Sequence, residues 1–540
     1  MSSRKARRKD SLGFFSVLDD DELLELFVQF DWESLRACAL VSRYFYLISH
    51  QEELWKELCL AAYVENKEAN FSWKGTWRRT CLHRGKNYPS YSYERLSFPG
   101  LPAPRLEDKY QRATMPLEPL SSVRRTIDRR SNLSMEDFIR EYETPNRPVI
   151  LCNVTSSWKA STQWMTGHFL AKYGNVMFKT NGTTDDGHTF KMTFQEYVRY
   201  MRDNKDDKPL YLFDNKFMQR APDMMEEYEV PFFFRDDLFD LMSDEDRPDY
   251  RWFLAGPARS GSPYHQDPHG TSAWNALLQG RKRWTLYPPH QIPPGVDPSL
   301  IDTEYYASPD VMKYYARVHP KLTQEPPFED ILEEGEIIFV PSGWWHQVLN
   351  LTDTIAITQN FCSPRNFQHV LRDLISKKNR SLWSDFRRSV QPRYPELFAS
   401  AQPMIEAAMK MVHPPTESDS SSSDESDAND TSSSEEDDDA MMEKEVELIY
   451  TPDSSSGSLM LLVHARIDLF MRDNTILVRA SSNYLMEDER KGTVHQSSSD
   501  VTRLGRWIPR IVQFSTAALQ CKLRYCSHHI TPSNSLWQLR

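Results

Sequence analysis

At 540 residues the chain is too long for one ordinary domain and has room for about two to four units. Hydrophobic residues at 39%, seven scattered cysteines and a net charge of −12 describe a folded core beside polar segments, with no disulfide framework. No run is apolar and long enough to cross a bilayer, and the basic N-terminus has no hydrophobic stretch behind it, so a secretory signal is excluded and a soluble intracellular protein is expected.

Residues 1–10 are a basic tail in which Arg4 to Lys9 read as a nuclear address or as a solvated tail without function. Residues 11–60 read as helical. Leu23, Leu24, Leu26, Phe27 and Phe30 recur at helical spacing, Leu35, Cys38, Ala39 and Leu40 do so after Asp31, and a third segment ends at Leu54-Trp55-Lys56-Glu57-Leu58. A small helical cap on the next domain would carry the same pattern. Through Val17-Leu18-Asp19-Asp20-Asp21-Glu22-Leu23-Leu24, Leu40-Val41-Ser42-Arg43 and Leu54-Trp55 the stretch resembles an F-box, the helical module that docks on a Skp1-type adaptor. It departs from that family at Asp19, which stands where proline is usual.

Residues 61–119 read as a connector, where Pro89, Pro99, Pro102 and Pro104 argue against long helices. From residue 120 to 390 the texture is mostly β. Ser134-Met-Glu-Asp137 caps a helix to about Tyr142. Strands are expected over 147–153, 209–214, 251–255, 271–278, 283–287, 336–341, 344–349 and 354–361, separated by turn signals such as Gln279-Gly280 and Glu334-Gly335. Many short strands indicate a jelly roll of cupin type with flanking helices. No βαβ alternation or phosphate-cradling glycine loop appears, which excludes nucleotide-binding α/β folds, and nothing points to direct nucleic-acid binding. Helical texture returns after Phe361 and continues through 391–412. Residues 413–440 are acidic, serine-rich and expected to be disordered. Eleven acidic residues and no lysine or arginine fall between Thr416 and Asp439, so the rest of the chain carries only −1 of the total −12. Residues 441–540 hold strand-like runs at 459–463 and 476–480 without an assigned role, and Cys521, Cys526, His528 and His529 match no zinc spacing.

The chemistry gathers at His265-Gln-Asp267 and at His346, which ends Val340-Pro-Ser-Gly-Trp-Trp-His346. In an extended segment residues two apart share a face, so His265 and Asp267 can reach one ion together. Two histidines and one carboxylate leave the other side of a metal open, the arrangement of non-heme Fe(II) oxygenases. A lone His-x-Asp means little, and either histidine alone fits a satisfied core position. The set falls in order, with Lys282 fifteen residues after Asp267 beside Trp284-Thr-Leu-Tyr287.

These runs resemble a Jumonji-C (JmjC) domain, the Fe(II)/2-oxoglutarate oxygenase built on a double-stranded β-helix, and within it the branch of bifunctional arginine demethylases and lysyl hydroxylases. The matching runs include Pro209-Leu-Tyr-Leu-Phe-Asp214, Asp236-Asp-Leu-Phe239, Tyr250-Arg-Trp-Phe253, Gly270-Thr-Ser-Ala-Trp-Asn-Ala276, Gly343-Trp-Trp-His346, Val348-Leu-Asn350 and Thr354-Ile-Ala-Ile-Thr-Gln-Asn-Phe361. The resemblance implies that His265, Asp267 and His346 ligate Fe(II). It implies that Lys282 binds the distal carboxylate of 2-oxoglutarate, supported by Thr358, Asn275, Tyr211 and Ser262, the last in place of a threonine. Trp252 would wall the pocket and Asn360 would lie near the metal. Dioxygen would be the other co-substrate. The expected activity is hydroxylation of lysine side chains, or demethylation of methyl-arginine or methyl-lysine, on basic nuclear proteins such as histone tails or RNA-associated proteins. Two alternatives stand beside it: an F-box adaptor using the fold as a platform, and a cupin whose metal serves another reaction such as isomerisation.

Overall fold

The computed structural model describes residues 11–65, 71–82, 104–183, 189–301, 308–322, 327–375, 380–412, 441–450, 460–472 and 475–487. The basic tail at Arg4 to Lys9, the acidic segment and the Cys521 to His529 group lie outside the described residues. The chain divides into two compact units, Met1–Ser16 with Asp31–Glu417, and Val17–Phe30 with Ser418–Arg540.

From Asp31 the larger unit runs through helices at Trp32–Cys38, Arg43–Ser49 and Glu52–Glu65. Asp31 caps the first by accepting from the Ser34 amide at 2.8 Å, and Ser42 caps the second through the Phe45 amide at 3.2 Å. The expected connector is more ordered than its prolines suggest, with helices at Trp77–Leu82 and Pro104–Thr114. Pro104 is the first residue of its helix, where a missing N–H costs nothing. Trp77 is fully buried and its indole donates to Asp206 at 2.9 Å, so this stretch is packed against the domain that follows.

Thirteen strands build the centre: β1 Asp128–Ser131, β2 Val149–Cys152, β3 Met177–Thr183, β4 Thr189–Thr193, β5 Leu212–Asp214, β6 Arg251–Gly256, β7 Gly261–His265, β8 Ser272–Gln279, β9 Lys282–Tyr287, β10 Phe328–Leu332, β11 Ile337–Val340, β12 Trp345–Asn350 and β13 Thr354–Phe361. They form a nine-stranded sheet in the order β1-β2-β11-β8-β13-β6-β5-β3-β4 and a four-stranded sheet in the order β10-β9-β12-β7. All neighbours are antiparallel except β1 and β2. Ile338, Leu277, Ala356 and Leu254 of the large sheet pack against Trp284, Leu286 and Val348 of the small one, and this shared core is the cupin sandwich. Helices Phe367–Leu374, Arg380–Val390 and Pro395–Val412 bury Phe367, Leu371, Phe386 and Phe398 in a separate cluster.

In the smaller unit the helix Asp20–Val28 starts at a complete capping box. The Asp19 carboxylate accepts from the Asp21 and Glu22 amides at 2.8 and 2.9 Å, while Glu22 accepts from the Asp19 amide at 2.8 Å. This gives a local reason for an aspartate where the F-box pattern has proline. Strands β14 Met441–Tyr450, β15 Met460–Arg472 and β16 Thr475–Glu487 form one antiparallel sheet, longer than the two short apolar runs suggest.

Candidate metal centre

His265 is the last residue of β7 and pairs directly with His346 of the neighbouring β12. The register shifts between them and the next pair, Ser262 with Val348, so three steps on β7 oppose two on β12. That bulge returns Ser262 and His265 to one face of the sheet. It also brings the strands very close: a side chain at Gly261 would begin 1.9 Å from the Val348 carbonyl oxygen. Asp267 lies beyond the end of β7, still extended at φ −66°, ψ 146°, and so reaches the same side as His265.

One ligand atom each of His265, Asp267 and His346 lies within 4.8 Å of the others. Both histidines use the same local device. His265 Nδ1 donates to the carbonyl of Pro263 at 2.8 Å, and His346 Nδ1 donates to that of Trp344 at 3.1 Å, which fixes the tautomer and leaves each Nε2 lone pair for a metal. Burial, with His265 adding to it, pushes His346 down to about 4, against the opposing pull of Asp267 and the Trp344 carbonyl. Its ring is therefore neutral near pH 7, and the 3.8 Å approach of its Nε2 to Asp267 Oδ1 is not an ion pair. The other Asp267 oxygen is buried without a hydrogen-bond partner. A carboxylate with an unsatisfied buried oxygen, facing two imidazoles whose Nδ1 hydrogens are already committed to backbone carbonyls, fits a divalent iron ion.

The inner face of the small sheet carries three successive rows. His265, His346 and Leu286 form one, Ser262, Val348 and Trp284 the next, and Asn350 with Lys282 the third. Trp284 stacks on His346 with ring centroids 5.9 Å apart. Four residues of strand separate the ligand row from the Lys282 row, about 13 Å, a span that a lysine side chain and a five-carbon diacid bridge together. Lys282 is 1% exposed, which rules out a solvated surface lysine. Its ammonium donates to the Tyr211 hydroxyl at 3.0 Å, and burial pulls it down to about 7. Tyr211 also shares a side-chain hydrogen bond with Asn350, so Lys282, Tyr211 and Asn350 form one buried polar cluster.

The remaining candidates lie on the large sheet or its rim. Asn275, Thr358 and Trp252 stand opposite one another across β8, β13 and β6. Asn275 is buried with its Oδ1 unpartnered. Thr358 already donates to the Trp274 carbonyl at 2.8 Å, so towards a ligand it offers lone pairs rather than its hydrogen. Asn360, two residues along and buried, donates to Thr271 at 2.9 Å. Trp284, as a neighbour of His346, and Asn350 join the site beyond the residues that the motifs mark. Asn350 is wholly buried opposite Lys282, donates to Ser260 at 2.8 Å and keeps its Oδ1 unpartnered. The signal available for it was its place in Val348-Leu-Asn350, two and four residues after Val348 and His346 on one face.

Residues 135–367 match the model of the Cupin-like domain family. The chain is 33% identical to the arginine-specific demethylase JMJ22 of Arabidopsis thaliana over 418 residues, 75% of this chain and 81% of that protein. It is 41% identical to the bifunctional arginine demethylase and lysyl-hydroxylase psr-1 of Caenorhabditis elegans over 274 residues, 49% of this chain and 68% of that one. The lysine-specific demethylase JMJ21 of Arabidopsis thaliana is 37% identical over 69% of this chain, which spans only 39% of that relative's length. A Gallus gallus protein named as a 2-oxoglutarate and iron-dependent oxygenase, JMJD4, is 30% identical over 287 residues, 48% of this chain and 66% of that one. Together with the His265, Asp267 and His346 cluster, these matches establish that the chain belongs to the cupin-like JmjC family of iron- and 2-oxoglutarate-dependent oxygenases.

Proposed function

We propose that the protein hydroxylates lysine side chains, or removes methyl groups from methyl-arginine or methyl-lysine, in basic nuclear proteins such as histones. The observation that carries this reading is the His265, Asp267 and His346 cluster with Lys282 buried two rows away on the same face. Bound iron, with 2-oxoglutarate and dioxygen, supplies hydroxylation of a C–H bond, with succinate and carbon dioxide as co-products. The protein's part is to hold and orient. His265, Asp267 and His346 would hold the ion, Lys282 with Tyr211 would bind the distal carboxylate of the co-substrate, and Trp284 and Trp252 would wall the pocket against water. Hydroxylation at a lysine carbon leaves hydroxylysine. At an N-methyl carbon it leaves a hemiaminal that breaks its C–N bond and releases formaldehyde, which is demethylation.

The test is succinate formation by the purified chain with Fe(II), 2-oxoglutarate, ascorbate and peptides containing lysine or methyl-arginine, alongside His265→Ala. Peptide-stimulated turnover that the variant lacks supports the reading, and peptide mass then separates gain of an oxygen from loss of a methylene. No turnover and no co-substrate binding would sink it.

A docking role for the N-terminal helices is compatible with this activity. Trp32, Leu40 and Val41 are 40%, 88% and 67% exposed, an apolar display that suits a Skp1-type adaptor at an F-box. Binding of a purified adaptor that Leu40→Asp and Val41→Asp abolish would support it, and no binding by the intact chain would remove it.

A further inference from the structure

The turn from Pro341 to Trp344 joins β11 to β12 and delivers His346 to the site. Gly343 occupies it at φ +73°, so the chain there has left the regular ladder and its carbonyls need other donors. Side chains supply them. Asn146 Nδ2 donates to the Ser342 carbonyl at 3.0 Å, and the Trp344 indole donates back to the Asn146 carbonyl at 2.8 Å. The Ser342 hydroxyl lies 3.1 Å from Ser272 Oγ and 3.2 Å from Asn366 Nδ2, which also donates to Ser272 at 2.9 Å. Ser272, Ser342 and Asn366 are each no more than 3% exposed, so one side of the turn is fixed in the core.

The other side is held differently. The Gly343 carbonyl accepts from Gln266 Nε2 at 2.6 Å, and Gln266 is the residue between His265 and Asp267. This bond therefore ties the segment bearing two ligands to the turn that launches the third. It sits where the ladder is weakest, because β7 ends at His265 and the bulge lies just inside that pair. Beyond the last strand pair, Gln266 closes the gap.

We propose that Gln266 is a positioning residue of the metal centre. Its amide fixes the spacing of His265 and Asp267 relative to His346, while Asn366 and Ser342 hold the far side of the same turn. The proposal rests on the metal-site reading above. Gln266 is exposed and contributes nothing to the core, so Gln266→Met, which keeps its length and removes the donor, separates positioning from folding. The measurement is binding of Mn(II) alone to the full chain, read from the free-ion EPR signal, with the thermal midpoint of the metal-free protein beside it. The expected result is an Mn(II) affinity weakened by about 10-fold or more at an unchanged midpoint. An affinity equal to wild type overturns the proposal, whether or not the midpoint falls. Wild-type protein that binds Mn(II) no better than His265→Ala would instead sink the metal-site reading itself.

Discussion

Lys282 and Arg283 are neighbours on β9, both buried to within 2% of complete, and strand alternation sends them to opposite faces of the small sheet. Arg283 is provided for. Its guanidinium donates to Glu329 at 2.6 Å and to the Leu120 carbonyl at 3.2 Å, and lies over the ring of Tyr315 on the helix Val311–Arg317. Lys282 meets only a phenol, and among the described residues no carboxylate comes within ion-pair distance of it. A buried cation with its anion in place is part of the structure, whereas a buried cation without one carries an unfavourable desolvation that an incoming anion relieves. The cation on the outer face has its carboxylate supplied by the fold, and the one on the inner face is left for what the site binds.

The largest effect should come from the ligand row. His346→Ala should lose bound iron and reduce succinate formation by more than about 100-fold, beyond the range seen when only outer partners of a metal are removed, as read by metal content and turnover. Arg283→Met comes next and tests the outer face. It strands Glu329 beside a sheet edge and should lower stability by about 3 kcal/mol in denaturant unfolding, with 2-oxoglutarate affinity of the folded protein unchanged. Lys282→Met is the counterpart on the inner face. It should weaken 2-oxoglutarate binding by about 10- to 100-fold, the worth of a charge-assisted hydrogen bond, measured by calorimetry, with no loss of stability. If Lys282→Met destabilises and Arg283→Met weakens co-substrate binding, the division between the faces is wrong.

The ligand set could be read from the chain because its logic is local. Two residues apart on extended backbone, followed by a histidine in an aromatic strand, is a pattern that sequence preserves. The strand that holds His265 was harder to see, since Gly261-Ser-Pro-Tyr-His265 carries a proline and a glycine in five residues. β7 tolerates Pro263 because it is the edge of the four-stranded sheet, and edge position is a property of the fold. Lys282 was legible through family resemblance alone, because nothing in Gly280-Arg-Lys-Arg283 says which of three adjacent cations turns inward. The helix Pro104–Thr114 was hidden by the opposite error, proline read as a breaker where it is a starter. Asn350 was missed because its partner Ser260 is 90 residues away, and long-range pairs leave no spacing to count.

The last prediction sharpens the comparison most, because it depends on protons rather than on removing a side chain. Burial holds the Lys282 ammonium at about 7 in the free protein, while a bound carboxylate favours the charged form and raises it. Below pH 7 the lysine is charged before binding, and affinity for 2-oxoglutarate should be flat. Above pH 7 binding must first charge the lysine, so apparent affinity should fall by up to about tenfold per pH unit, with uptake approaching one proton. Calorimetry in two buffers of different ionisation enthalpy reads that proton directly. Lys282→Arg provides the control, since a guanidinium stays charged throughout: its affinity, whatever its absolute value, should not change between pH 7 and 9. A wild-type profile as flat as that of the variant would mean that Lys282 is charged in the free protein, and that something other than the incoming carboxylate supplies its counter-charge.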